Sequence, residues 1–380
     1  MKATPTKVIF TGYAPVHFVC FSPLYRYLSA DPRFEVFVSG GLREEIESED
    51  GQSKSRIHDA LSMYRPFGIP DDHILTVDQI RDMDFDVMFG ANTKMIAPRS
   101  VGTRVQIFHG VSFRNKAIRE ENLGADFYFL AGPYMKRKFA AAGLLAEDDP
   151  RGLRIGFMKT DALIDGSLSR SILLRKNGFT GDRPVLLFAP TGQRYNSLET
   201  MGVDVLRQLK ATGKYDILIK MHDHPKDTSV NWFDELRPLE DEHCRVSRDL
   251  DVIPLLFLAD LLITDASSVS SEYSLLDRPM VFLDVPKLLA KGAKSGSMDL
   301  DTWGRNVGDI VYSPDEITGA IELALREPQR HGDLRRSMAA DLFFNPGEAA
   351  SAGLSWLESK FELLKERSHR LSFRDAALTA

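Results

Sequence analysis

Two α/β domains, each Rossmann-like and doubly wound on a parallel sheet, facing one another across a cleft, are what this sequence predicts. Three observations lead there. Short apolar runs bounded by Gly, Pro, Asp or Asn alternate with segments of helical spacing, the pattern of parallel β-α units. That pattern starts near the beginning of the chain and restarts at Pro184. A chain of 380 residues is too long for one ordinary core and fits two domains of roughly 150–200 residues each.

In the first part, Val8–Phe10, Phe34–Val38, Val87–Phe89, Val105–Phe108 and Phe127–Leu130 read as strands. Helical spacing appears over Phe21–Leu28, Ser55–Tyr64 and Met135–Ala142. In the second part the strands are Pro184–Ala189, Tyr215–Lys220, Leu261–Thr264 and Met280–Leu283. The helices between and beside them are Val203–Ala211, Val252–Ala259 and Val269–Leu276. The polar stretch Ala162–Arg183, with Gly166, Gly178 and Gly181, reads as the linker. Gly347–Arg370 is a long amphipathic helix carrying Leu354, Trp356, Leu357, Phe361 and Leu364 on or near one face. The expected division is 1–165, 166–346 and a C-terminal helix over 347–380 that packs back on the first domain.

Composition narrows the function. The apolar fraction is 43% and the charged fraction 27%, the ordinary globular balance. A net charge of −6 speaks against a dedicated nucleic-acid binder. Cys20 and Cys244 are the two cysteines; they supply neither a disulfide framework nor a four-thiolate site, and point to a reducing, cytoplasmic setting. No run reaches the length of a transmembrane helix, and Met1–Thr6 lacks the apolar core of a signal peptide. Peripheral docking on a membrane surface stays open, with the basic run Tyr134–Lys138 read mainly as a solvated helix face.

In open parallel sheets ligands bind beyond the carboxyl ends of the strands, so the chemistry is sought there. His109, followed by Gly110, stands directly after a buried strand. Its imidazole can take a proton from an attacking hydroxyl near neutral pH, or simply hydrogen-bond in a turn. Lys220-Met221-His222-Asp223-His224-Pro225 follows another strand. The histidine spacing suggests a metal, but no dense ligand set accompanies it, and contact with a phosphoryl oxygen fits better. Thr264-Asp265-Ala266-Ser267-Ser268 runs from a strand into a helix. The first N–H groups of that helix and the hydroxyls of Ser267 and Ser268 suit an anion, or the serines only cap the helix. Ala189-Pro190-Thr191-Gly192-Gln193-Arg194 places Thr191 and Arg194 beside a strand end, where they serve a phosphate or an ordinary turn. Phe343–Ser351 is a turn that opens the last helix. The sequence has no phosphate-loop, nucleophile-elbow or dinucleotide fingerprint.

Taken in order, these blocks resemble the CDP-glycerol glycerophosphotransferase family, which includes the teichoic acid glycerol-phosphate and ribitol-phosphate polymerases. The blocks are His109-Gly110, Gly156-Phe157-Met158-Lys159-Thr160-Asp161, Ala189-Pro190-Thr191, Lys220-Met221-His222, Thr264–Ser268, Asp277-Arg278-Pro279 and Asn345–Ala349. The similarity spans about residues 105–352. Met158 stands where the family has proline, and Ala266 where an aromatic is common.

The resemblance implies a glycosyltransferase B-type fold, with an acceptor-side first domain and a nucleotide-donor second domain. It implies transfer of a polyol phosphate from a CDP-activated donor to a polyol-phosphate or glycan acceptor, lipid-linked or free, in surface polymer or capsule synthesis. CMP is released, and no metal or other cofactor is needed. His109 and His222 are then the catalytic candidates. Ser267, Ser268, Thr191, Arg194, Asp265, His224 and Lys159 are the donor- or phosphate-binding candidates. A glycosyltransferase using a UDP- or CMP-sugar, a UDP-N-acetylglucosamine 2-epimerase-like enzyme and a non-catalytic nucleotide-sugar scaffold are the competing readings.

Overall fold

The computed structural model describes residues 4–361 apart from 48–52, 92–95, 97, 112–117, 119, 121–122, 223–228 and 295–301. The first half contains β1 (Thr6–Gly12), α1 (Pro15–Ser29), β2 (Phe34–Gly40), β3 (Leu42–Glu47), β4 (Ser53–His58), α2 (Ala60–Tyr64), β5 (Ile74–Leu75), α3 (Val77–Ile80), β6 (Asp84–Gly90), β7 (Ser100–Ile107), β8 (Phe127–Leu130), α4 (Pro133–Ala141) and β9 (Gly152–Arg154). Seven of these strands form one sheet in the order β5-β2-β1-β6-β7-β8-β9, with every pair parallel. The segment Ser55–Tyr64, expected as one helix, divides instead. Ser53–His58 pairs antiparallel with Leu42–Glu47, and only Ala60–Tyr64 is helical, started by the Asp59 side chain accepting the Ser62 N–H.

The second half holds α5 (Arg170–Asn177), β10 (Val185–Phe188), α6 (Val203–Ala211), β11 (Asp216–Ile219), α7 (Trp232–Leu236), β12 (Cys244–Val246), α8 (Ile253–Leu258), β13 (Leu261–Thr264), α9 (Val269–Tyr273), β14 (Met280–Leu283), α10 (Pro286–Lys294), β15 (Asp309–Val311), α11 (Ile317–Arg326) and α12 (Gly332–Leu342). Its parallel sheet runs β12-β11-β10-β13-β14-β15. β10, β11, β13 and β14 are buried at every position, which is why they read as unbroken apolar runs rather than alternating ones. The expected linker is not bare chain. α5 lies within it and packs on α8, and the Arg170 guanidinium donates to the Leu258 carbonyl and, at 2.7 Å, to Asp260.

A helix over 349–361, here α13, follows. Leu357 is wholly buried in the core of the first sheet, and the Trp356 ring meets Phe127 and Phe129 edge-on, with centroids 5.0 and 5.3 Å apart. Leu364 lies outside the described residues. The chain therefore crosses between the two halves twice, and the two passages bind each other. Gly156, at φ +108°, passes so close to the Phe344 carbonyl that a Cβ there would lie 2.2 Å from its oxygen. The Asn345 amide donates to the Arg154 and Ile155 carbonyls at 2.8 and 3.0 Å. The Asp161 carboxylate accepts the first N–H groups of α13, from Ala349 at 3.1 Å and Ala350 at 2.8 Å.

Beside this crossing the Lys159 ammonium is buried against Glu272 of α9, at 2.9 and 3.0 Å from the two carboxylate oxygens. Burial works against its charge, but Glu272 and Asp251 outweigh that and hold its pKa above the ordinary lysine value. One apolar cluster continues across the junction, from Tyr134 and Phe157 to Leu187, Leu256 and Leu262.

Two outcomes follow from the crossing. Glu272→Gln leaves the Lys159 charge buried without its partner and should cost about 3–5 kcal/mol, read from urea unfolding. The Lys159→Met/Glu272→Leu double variant should recover most of that loss. Burial holds the Asp161 carboxyl up, at about 6, despite its two N–H donors, against about 3.9 in an unfolded chain. The folded state then binds that proton more tightly, so the contribution of Asp161 to stability falls as pH rises from about 4 through 6. Asp161→Asn should flatten that part of a stability-against-pH curve.

Candidate functional site

Each sheet has one place where the strand order reverses; His109 lies beside the first, and Thr191, Arg194, Asp265, Ser267 and Ser268 lie in the loops at the second. In the first sheet the reversal lies between β1 and β6, and ligands of such sheets sit at that crevice. His109 follows β7 and is exposed. Its Nδ1–H donates to the Ala91 carbonyl, just beyond β6, at 2.8 Å. A carbonyl can only accept, so the neutral ring carries its proton on Nδ1 and keeps Nε2 as an acceptor.

A second histidine, not singled out in the sequence, stands beside it. The ring of His17 is 4.9 Å from that of His109, centroid to centroid. His17 is only 2% exposed. Its Nδ1 accepts the Tyr13 N–H at 3.1 Å, which puts the proton of the neutral ring on Nε2. The Tyr13 ring meets it edge-on at 4.4 Å. Gly12 makes room: a Cβ there would lie 2.8 Å from the His17 Cβ. The available signal was Pro15, three residues past the end of β1, since proline suits the first helical position; starting the helix at Phe21 hid His17.

In the second sheet the reversal lies between β10 and β13. Asp265, wholly buried, ties the loops after these strands together. One oxygen accepts the Thr191 N–H at 2.9 Å, and the other accepts the N–H and the hydroxyl of Ser197, each at 2.9 Å. Its negative charge is turned onto protein donors, so it braces the site where a phosphate contact was expected. Thr191 is buried in the same arrangement, and Arg194 is exposed on the same loop. Ser267 is buried at 5% exposure. Ser268, half-buried, sits at the N-cap of α9, yet its side chain makes no capping bond, so plain capping does not account for it. His222 is exposed beyond the end of β11. Lys220 is buried and donates to the Met221 carbonyl at 2.9 Å. His224 lies outside the described residues.

Other motif residues are engaged with partners inside the protein. Lys159, expected on a phosphate, is paired with Glu272. Asp277, left-handed at φ 48°, receives Arg335 and Arg336. In the basic run, Arg137 forms a two-point pair with Asp341, and Lys138 lies over the Tyr134 ring. Cys20 and Cys244 are buried free thiols. Among the described residues no cluster of three or more His, Cys, Asp or Glu side chains is placed to hold a metal ion. Nor is any described helix long and apolar enough to cross a membrane.

Two parallel α/β domains, each with a polar loop cluster at its switch point, make a glycosyltransferase B-type architecture. The family model for CDP-glycerol:poly(glycerophosphate) glycerophosphotransferase matches residues 99–352, more than half of the chain, and the chain belongs to that family. The teichoic acid glycerol-phosphate primase of Bacillus spizizenii is 30% identical over 169 residues, covering 44% of this chain and 39% of that protein. The chain matches well under half the length of its curated relatives. Among solved structures, the wall teichoic acid polymerase TagF, as a variant soaked with CDPG, shares the fold with a TM-score of 0.63 and 18% identity, covering 95% of this chain and 90% of the other. A UDP-N-acetylglucosamine 2-epimerase shares it at a TM-score of 0.52 and 14% identity, covering 92% and 94%.

The paired histidines carry a spectroscopic expectation. Nitrogen-15 shifts of the neutral protein should show His109 protonated on Nδ1 and His17 on Nε2; a single shared tautomer would contradict the geometry.

Proposed function

We propose that this chain transfers glycerol phosphate, or a related polyol phosphate, from a CDP-activated donor to an acceptor hydroxyl and releases CMP. The observation that carries the reading is the His109 geometry. An exposed imidazole at a switch point donates through Nδ1 to Ala91, which makes Nε2 its basic nitrogen, in a chain of the glycerophosphotransferase family. The TagF structure soaked with CDPG supports the donor class.

The step is a displacement at the distal phosphorus. The acceptor oxygen forms a bond to that phosphorus while His109 Nε2 takes its proton. The bond from phosphorus to the bridging oxygen breaks, and CMP leaves with the electron pair. The turn at Ser267 and Ser268 and the imidazole of His222 meet the charge that gathers on the departing phosphate. Asp265 and Thr191 hold the loop that completes the pocket, and Arg194 offers a cation at its rim. Orientation of both substrates by the two domains supplies much of the remaining rate. The acceptor is a polyol-phosphate or glycan hydroxyl of a surface polymer. The work is done on the cytoplasmic side, where a lipid-linked acceptor would bring the protein to the membrane face.

The deciding measurement is which nucleotide appears when the protein meets CDP-glycerol, CDP-ribitol, UDP-sugars and CMP-sugars together with acceptor. CMP from a CDP-polyol is expected; UDP would point to the sugar-transferring or epimerising chemistry of similar folds. His109→Ala should lower turnover by about 10²–10⁴-fold with an unchanged melting temperature. Near-normal turnover would remove His109 as the base. Ser268→Ala should act mainly on donor KM.

A further inference from the structure

Tyr195 lies at the second switch point in a conformation that costs free energy to hold. Its φ is +64°, the left-handed region that a bulky L-residue rarely enters. The surrounding loop enforces it. Glu199 accepts the Tyr195 N–H at 2.5 Å and the Asn196 side-chain amide at 3.1 Å, and the Glu199 N–H returns to the Asn196 oxygen at 3.0 Å. Two residues on, Ser197 is clamped by Asp265, itself two residues before Ser267. The wide, π-type turn Leu198–Gly202 follows, a form that gathers at functional sites. The result is an aromatic ring 44% exposed, with the Lys287 ammonium 6.0 Å from its centroid.

We infer that Tyr195 is the platform on which the base of the donor nucleotide stacks. This rests on the proposed nucleotide donor. Of the pieces of such a donor and its acceptor (polyol, phosphates, ribose, base), only the base has a flat π face to match an exposed aromatic ring. The ring projects from the loop that ends β10, where the switch-point rule places a nucleotide. Glycine would relieve the backbone at this position, so the ring is retained against a conformational cost that an external contact explains. Lys287 adds a cation at the edge of the same platform.

The test uses CMP and ribose 5-phosphate, which share the phosphate and the sugar but not the base, with binding read by ligand-observed NMR on the purified full chain. Tyr195→Ala and Tyr195→Gly should weaken CMP about tenfold and leave ribose 5-phosphate unchanged, while Tyr195→Phe keeps both. Tyr195→Gly should melt at or above the wild-type temperature, which separates lost stacking from lost folding. Equal weakening of both ligands, or CMP binding unchanged in Tyr195→Ala, overturns the stacking role alone. Failure of CMP to bind the wild-type protein overturns the nucleotide reading and the stacking role with it.

Discussion

The molecule depends on the place where its chain crosses from one sheet to the other and back. Outward and returning strands of that crossing are bonded to each other, through Asp161 on the Ala349 and Ala350 N–H groups and Asn345 on the Arg154 and Ile155 carbonyls. Lys159 then reaches from the outward passage to Glu272 in the short helix that begins after Ser268. The helix carrying the candidate phosphate site is therefore tied to the first domain by a buried charge pair. A buried pair of this kind adds little to stability when complete and costs much when broken. Its value here is geometric, since it fixes where one half stands relative to the other.

The two switch points are built by one device. In each, a polar group that looks chemical on paper is turned onto the protein's own backbone to hold a neighbouring loop. Ala91 holds His109 by Nδ1, which makes Nε2 the acceptor nitrogen of the neutral ring. Asp265 uses both of its oxygens on Thr191 and Ser197. Groups satisfied in this way are rigid, and rigidity is what a displacement reaction needs from its surroundings.

The sheets were legible in the sequence because strands buried on both faces must be short, apolar and bounded by turn residues. Leu261–Thr264 and Met280–Leu283 were read to the residue. Short edge strands such as Cys244–Val246 and Asp309–Val311 were not, since three residues carry no period. Ser53–His58 escaped because its pairing with Leu42–Glu47 is a tertiary fact that outweighs local spacing. At the site, position after a strand is what draws attention to His109, Ser267 and Ser268. It does not show that Lys159 turns to Glu272 or Asp265 to Thr191 and Ser197, because chain position does not tell which way a side chain turns. The partner of Lys159 lies 113 residues away, beyond the reach of any local pattern.

The returning helix has a consequence for the order in which the protein can be made. The second domain's strands and their helices form one uninterrupted stretch of chain. The first sheet is emitted earlier, yet Phe127 and Phe129 wait for Trp356, and its core waits for Leu357. During synthesis, when domains form as their residues emerge, the half that comes out first must be the half that finishes last. Until then its apolar flank lacks the cover that Trp356 and Leu357 supply in the folded chain.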